Sequence, residues 1–125
     1  MLGARDSLHL GNLDAVRDWG YAPEYVEGMW RMLQHDEPGD YVLATGEGRT
    51  VRQFVERAFA HAGLDWEQYV TCDAQYERPT EVDALVGDPS KAAETLGWKA
   101  QTNADRLAEL MVDADIEQLA RLLRA

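Results

Sequence analysis

The chain of 125 residues has a single cysteine, Cys72, so no internal disulfide forms and a cysteine-based metal site is not expected. Its histidines, His9, His35 and His61, stand far apart without ligand spacing, which argues against a structural zinc. No apolar run approaches the roughly 18 residues of a membrane span. The opening Met1-Leu2-Gly3-Ala4 has neither the basic nor the apolar region of a signal peptide, so a cytoplasmic location is the expectation. Bases are scarce: 12 against 23 acids gives a formal charge of −11, a field that repels polyanions and disfavours nucleic acid. There is no G-x-G-x-x-G, P-loop or nucleophile elbow. Gly46-Glu47-Gly48 lacks the third glycine of a dinucleotide fingerprint, and Thr50 after it fits better as a helix cap.

What is present reads as an α/β chain, one domain at most over residues 1–125, with short strands and about four helices. No repeat or linker interrupts it. Leu8-His9-Leu10 is a brief strand punctuated by Gly11-Asn12. Pro23 suits the first helical position, and Val26, Met29, Trp30 and Leu33 follow at helical spacing. That helix is expected to run to Glu37 before Pro38-Gly39, with its Trp and Met against neighbours. Tyr41–Thr45 predicts a buried strand. Thr50-Val51-Arg52-Gln53 has the form of a capping box, with Val51, Phe54, Val55, Ala58, Phe59 and Ala62 on one face and Gly63 as a left-handed stop.

Tyr69–Cys72 reads as another strand and 82–86 as an extended segment. Asp88-Pro89-Ser90-Lys91 opens a short helix that Gly97 ends. The last helix starts near Thr102-Asn103, with Asp105 completing a capping pair. Its two apolar faces, around Leu107-Leu110-Met111 and Ile116-Leu119-Leu123, are rotated relative to each other, which predicts a kink or break near 113–115.

Single residues carry little. Arg17-Asp18 alone reads as a solvent ion pair, and Arg78-Pro79-Thr80-Glu81 as a proline turn among solvated charges. Proline does stiffen the backbone at Arg78, which suits a guanidinium held in place. Asp113, Asp115 and Glu117 on the last helix read as a solvated face and not a metal site. The tryptophans, Trp19, Trp30, Trp66 and Trp98, read as fillers of core or interface.

Taken together, the segments resemble the C-terminal part of GDP-mannose 4,6-dehydratases, extended short-chain dehydrogenases/reductases. The resemblance runs from about Leu2 to Glu117. It rests on Leu10-Gly11-Asn12-Leu13-Asp14-Ala15, Arg17-Asp18-Trp19-Gly20, Ala44-Thr45-Gly46, Thr50-Val51-Arg52, Gly63-Leu64-Asp65-Trp66, Arg78-Pro79-Thr80-Glu81-Val82-Asp83 and Gly87-Asp88-Pro89-Ser90-Lys91. It implies a small substrate-binding lobe without the Rossmann domain, which holds NADP and the catalytic residues in that family. The first motif comes a few residues after Met1, so the chain is expected to be a fragment without activity of its own.

The resemblance also implies that Asn12 lies along the nucleotide and that Arg17 and Arg78 bracket the diphosphate. Glu81 then accepts from the ribose hydroxyls. Two guanidiniums from distant segments suit phosphate oxygens, and a carboxylate suits a vicinal diol. No catalytic, cofactor or metal residue is assigned within this chain. Val16 stands where the family usually has a lysine. GDP-mannose or GDP is the expected ligand; a separate Rossmann half or a second copy is the expected partner. A non-catalytic binding or assembly subunit and a self-associating structural module are the alternative readings.

Overall fold

The computed structural model describes residues 6–76 and 82–124. Among the described residues two small sheets and four α-helices make the fold, in the order β1 (Leu8–Leu10), β2 (Val16–Asp18), α1 (Ala22–Gln34), β3 (Gly48–Thr50), α2 (Val51–His61), β4 (Val70–Cys72), β5 (Ala84–Leu85), α3 (Ser90–Leu96) and α4 (Ala104–Leu122). β1 and β4 pair in parallel. β2 is the middle strand of the other sheet, antiparallel to β3 and parallel to β5. Arg17, in mid-strand, stands opposite Arg49 on one side and Leu85 on the other.

Helix boundaries follow local chemistry. Thr50 and Gln53 exchange the two hydrogen bonds of a capping box at the start of α2. Gly63, at φ +72°, follows the end of that helix, and Gly97, at φ +61°, closes α3. α3 starts one residue later than expected, at Ser90, with Pro89 as its N-cap and no side-chain cap; Asp88 accepts from the Ser90 N–H at 3.0 Å in the turn that leads into it. Asn103 caps α4 through the Arg106 N–H at 2.9 Å.

The core is built along two seams, α2 against α4 and α1 against α3. Trp98 is its largest fully buried side chain; its indole N–H donates to the Glu24 carbonyl at 2.7 Å, and Tyr25 meets its ring edge-on. Ala92, Ala104, Leu107 and Ala108 are buried too. Beside β2, Trp19 stacks on Phe54 with ring centres 4.4 Å apart and donates to the Arg49 carbonyl.

Four expectations change. Tyr41–Thr45 joins no ladder. Its Thr45 N–H and hydroxyl are bonded to the Asp18 carboxylate instead of to a neighbouring strand; Ala44 is buried, while Val42 faces solvent. α1 ends at Gln34, three residues earlier than expected, and His35 turns to bond Glu37. Its stripe of Val26, Met29, Trp30 and Leu33 is exposed, because α1 meets the rest of the chain through Gly28 and Tyr25. Finally, α4 is one unbroken helix: its second apolar face is not turned onto a core but stands in solvent, with Ile116 50% and Leu123 68% exposed.

Candidate functional site

β2 carries the first of the expected site residues. The Arg17 guanidinium donates to the Val82 carbonyl at 2.8 Å and to its neighbour Val16 at 2.7 Å. These two bonds help to orient the guanidinium. The Val16 N–H donates to Asp83, so backbone and side chain both tie β2 to the segment beginning at Val82.

Asn12 is placed by its own turn. Its side-chain oxygen accepts from the Asp14 N–H at 2.9 Å, which fixes the loop between β1 and β2. Gly11 beside it packs so closely on the Tyr76 carbonyl that any Cβ would overlap it. Arg78 and Glu81 lie outside the described residues. The two described positions that bracket them in sequence do meet the other two sites: Tyr76 lies against Gly11, and Val82 accepts from Arg17.

Asp18, next to Arg17, has a role that the sequence did not reveal. Instead of facing solvent as half of an ion pair, its carboxylate accepts from the Thr45 N–H (2.8 Å), the Thr45 hydroxyl (2.6 Å), the Gly46 N–H (3.0 Å) and the Gly87 N–H (3.2 Å). Partial burial works against its ionisation; the bonds from Thr45, Gly87 and Gly46 outweigh that and hold the carboxyl below its ordinary range. One side chain thus joins β2, the 44–46 segment and the approach to α3. Glu24 does similar work at the other end. Its carboxylate accepts from the Thr102 hydroxyl at 2.6 Å and the Gln101 N–H at 3.0 Å, and these bonds overcome partial burial to lower its pKa. No spacing rule finds such partners, since each lies 27 or more residues away in the chain.

Between these anchors lies an open groove of about 390 Å³ whose lining includes Arg17, Asp18, Tyr25, Val42 and Val86. Burial, with the charges of Asp18 and Glu24, pushes the Tyr25 phenol above its usual pKa, so it stays a neutral donor at physiological pH. Gly20 leaves room for that ring, since a Cβ there would overlap it. The groove is thus lined by a guanidinium, a carboxylate that accepts four hydrogen bonds, a phenol and an apolar wall.

A family model described as GDP-mannose 4,6 dehydratase matches residues 1–111. The chain belongs to the GDP-mannose 4,6-dehydratase family. It is 52% identical to GDP-mannose 4,6 dehydratase 2 of Arabidopsis thaliana over 120 residues, 96% of this chain and 32% of that protein. It is 49% identical to the Homo sapiens GDP-mannose 4,6 dehydratase, covering 93% of this chain and 36% of the relative. The chain thus spans about a third of the length of these relatives.

Solved structures bear out the fold. A UDP-glucose 4-epimerase of Thermotoga maritima superposes with a TM-score of 0.77 at 24% identity, over 90% of this chain and 36% of that one. A dTDP-glucose 4,6-dehydratase of Bacillus anthracis gives 0.73 at 16% identity, over 86% and 34%. The described residues form a small α/β unit with the same fold as parts of these two enzymes.

Gly46-Glu47-Gly48 does not fit the dinucleotide that such enzymes use. Gly48 is packed by the Val16 and Val86 side chains, and the Gln53 N–H at the start of α2 is already bound by Thr50. A phosphate at that turn would find neither the open glycine nor the free N–H that it needs. Among the described residues no helix is long and apolar enough to cross a membrane.

Proposed function

We propose that this chain is the substrate-binding lobe of a GDP-mannose 4,6-dehydratase, with Arg17 contributing one of two cations to the diphosphate of a GDP-sugar. The meeting of Arg17 with Val82, and of Gly11-Asn12 with Tyr76, carries the reading. It tethers both ends of the stretch containing Arg78 and Glu81 to the two segments that the family motif assigns to the nucleotide. Arg78 supplies the second cation and Glu81 accepts from the ribose diol, as their chemistry suits. Asn12 acts by shaping its loop, since its side-chain oxygen is engaged by Asp14.

In the whole enzyme the reaction is GDP-mannose to GDP-4-keto-6-deoxymannose, and its hydride transfers belong to NADP held outside this lobe. No redox step is assigned to the residues here; their work is to hold and orient the nucleotide. Alone, the lobe binds GDP weakly and is without activity. The exposed α1 stripe and the unpaired 41–45 run support the need for a covering partner. That partner is a Rossmann half, whether on the same or a separate chain.

Calorimetry with GDP tests the reading. Binding in the millimolar range or tighter is expected, reduced about ten-fold or more by Arg17→Ala, the loss of one charge-assisted contact. A folded sample that gives no heat at millimolar GDP, or an Arg17→Ala chain that binds as well as the parent, overturns it.

A further inference from the structure

A nucleotide presents an anionic diphosphate, a ribose diol and a flat, neutral base. Guanidiniums and a carboxylate suit the first two, whereas a base wants a planar partner for its π-face. In a chain of formal charge −11 the neutral base is also the part that meets no electrostatic opposition.

Among the described residues two aromatic side chains are more than half exposed, Trp30 at 60% and Tyr76 at 55%. Trp30 belongs to the α1 stripe. Tyr76 stands beside the loop between β1 and β2: a Cβ on Gly11 would overlap the Tyr76 carbonyl and come within 3.3 Å of the Tyr76 Cβ. Its ring meets no other ring, and its hydroxyl no hydrogen-bond partner, among the described residues.

The turn that carries this ring is pinned. Tyr76 ends a single 3-10 turn, Ala74–Tyr76, in which its N–H donates to the Asp73 carbonyl at 3.0 Å and the Gln75 N–H donates to the Asp73 carboxylate at 3.0 Å. The Asp73 N–H donates in turn to the Leu10 carbonyl at 2.9 Å, at the end of β1. Across the contact, Asn12 holds its own loop through the Asp14 N–H. Both sides of the corner are fixed before any ligand arrives, which lowers the ordering cost of binding there.

We propose that Tyr76 is the platform on which the base of the GDP-sugar stacks, positioning the end of the nucleotide opposite the sugar. This role rests on the nucleotide reading of Arg17 and adds a contact to the base. Stacking tolerates any base, so Tyr76 supplies affinity for a nucleotide over a bare diphosphate and not the choice of guanine.

Calorimetry on the full chain with GDP and with inorganic pyrophosphate tests this, with far-UV circular dichroism to confirm that each variant is folded. Tyr76→Ala is expected to weaken GDP about ten-fold or more and to leave pyrophosphate unchanged. Tyr76→Phe keeps the ring and binds GDP within about two-fold of the parent. In proton NMR of the parent with GDP, the guanine H8 should move upfield and show a nuclear Overhauser contact to the Tyr76 ring. Binding that depends on Arg17 but is indifferent to Tyr76→Ala overturns the stacking role and leaves the diphosphate reading standing. A Tyr76→Phe chain as weak as Tyr76→Ala, or an H8 without contact to the ring, also overturns the stacking role. A folded parent that binds no GDP overturns both.

Discussion

Replacing Asp18 with alanine removes the acceptor of four hydrogen bonds from Thr45, Gly46 and Gly87. A bond to a charged group contributes about 1.5–3 kcal/mol by mutation, but four bonds to one carboxylate are not additive. Asp18 is only partly buried, so water can reach some of the abandoned donors. The expected loss is therefore about 2–3 kcal/mol, a large share of the ~5–15 kcal/mol typical of a domain. Urea unfolding followed by circular dichroism reads this as a midpoint lowered by about 1–2 M. Asparagine should recover less than half of the loss, because its amide can still accept from Thr45 but sets NH2 against the glycine N–H donors. A loss below about 0.5 kcal/mol for Asp18→Ala would refute the assignment of this carboxylate as the join between β2 and its neighbours.

Stability should fall in acid, since Asp18 and Glu24 both have lowered pKa values. Their contribution is complete above the ordinary carboxylate range and is lost as pH drops through the lower folded values. The gap between the parent and Asp18→Ala accordingly narrows below about pH 4, and a gap unchanged at pH 2 would contradict this. Thr50→Ala deletes half of the capping box at α2 and is expected to cost about 1 kcal/mol in the same unfolding assay. Gly87→Ala places a methyl onto the Ala44 Cβ, pushing the 42–44 wall away from β5, and should destabilise by about 1–3 kcal/mol. A neutral result there would mean that the groove wall is not fixed by this contact.

Local chemistry made much of the fold legible. The capping box at Thr50-Gln53, the left-handed Gly63 and Gly97, and the β1 and β4 strands all follow from a few neighbouring residues. What failed depended on partners. Tyr41–Thr45 has strand composition, but its Thr45 end is held by the carboxylate of Asp18, 27 residues away, and not by a neighbouring strand. The stripes on α1 and distal α4 have core composition, yet periodicity says only that a face is apolar, not what covers it. In the candidate site, Arg17 was legible as a motif residue, and the structure supplies its acceptors. Asp18 was misread because its partners at Thr45, Gly46 and Gly87 come from distant segments that only tertiary structure brings together.

The account rests on the nucleotide lying along β2 and the loop before it. The most direct measurement is a GDP titration of the 15N-labelled chain, followed by backbone amide shifts. The account predicts saturable changes centred on Gly11 to Asp18 and Val82 to Ala84, with distal α4 from Ile116 onward unmoved. Shifts confined to other surfaces, or none at millimolar GDP, would contradict it.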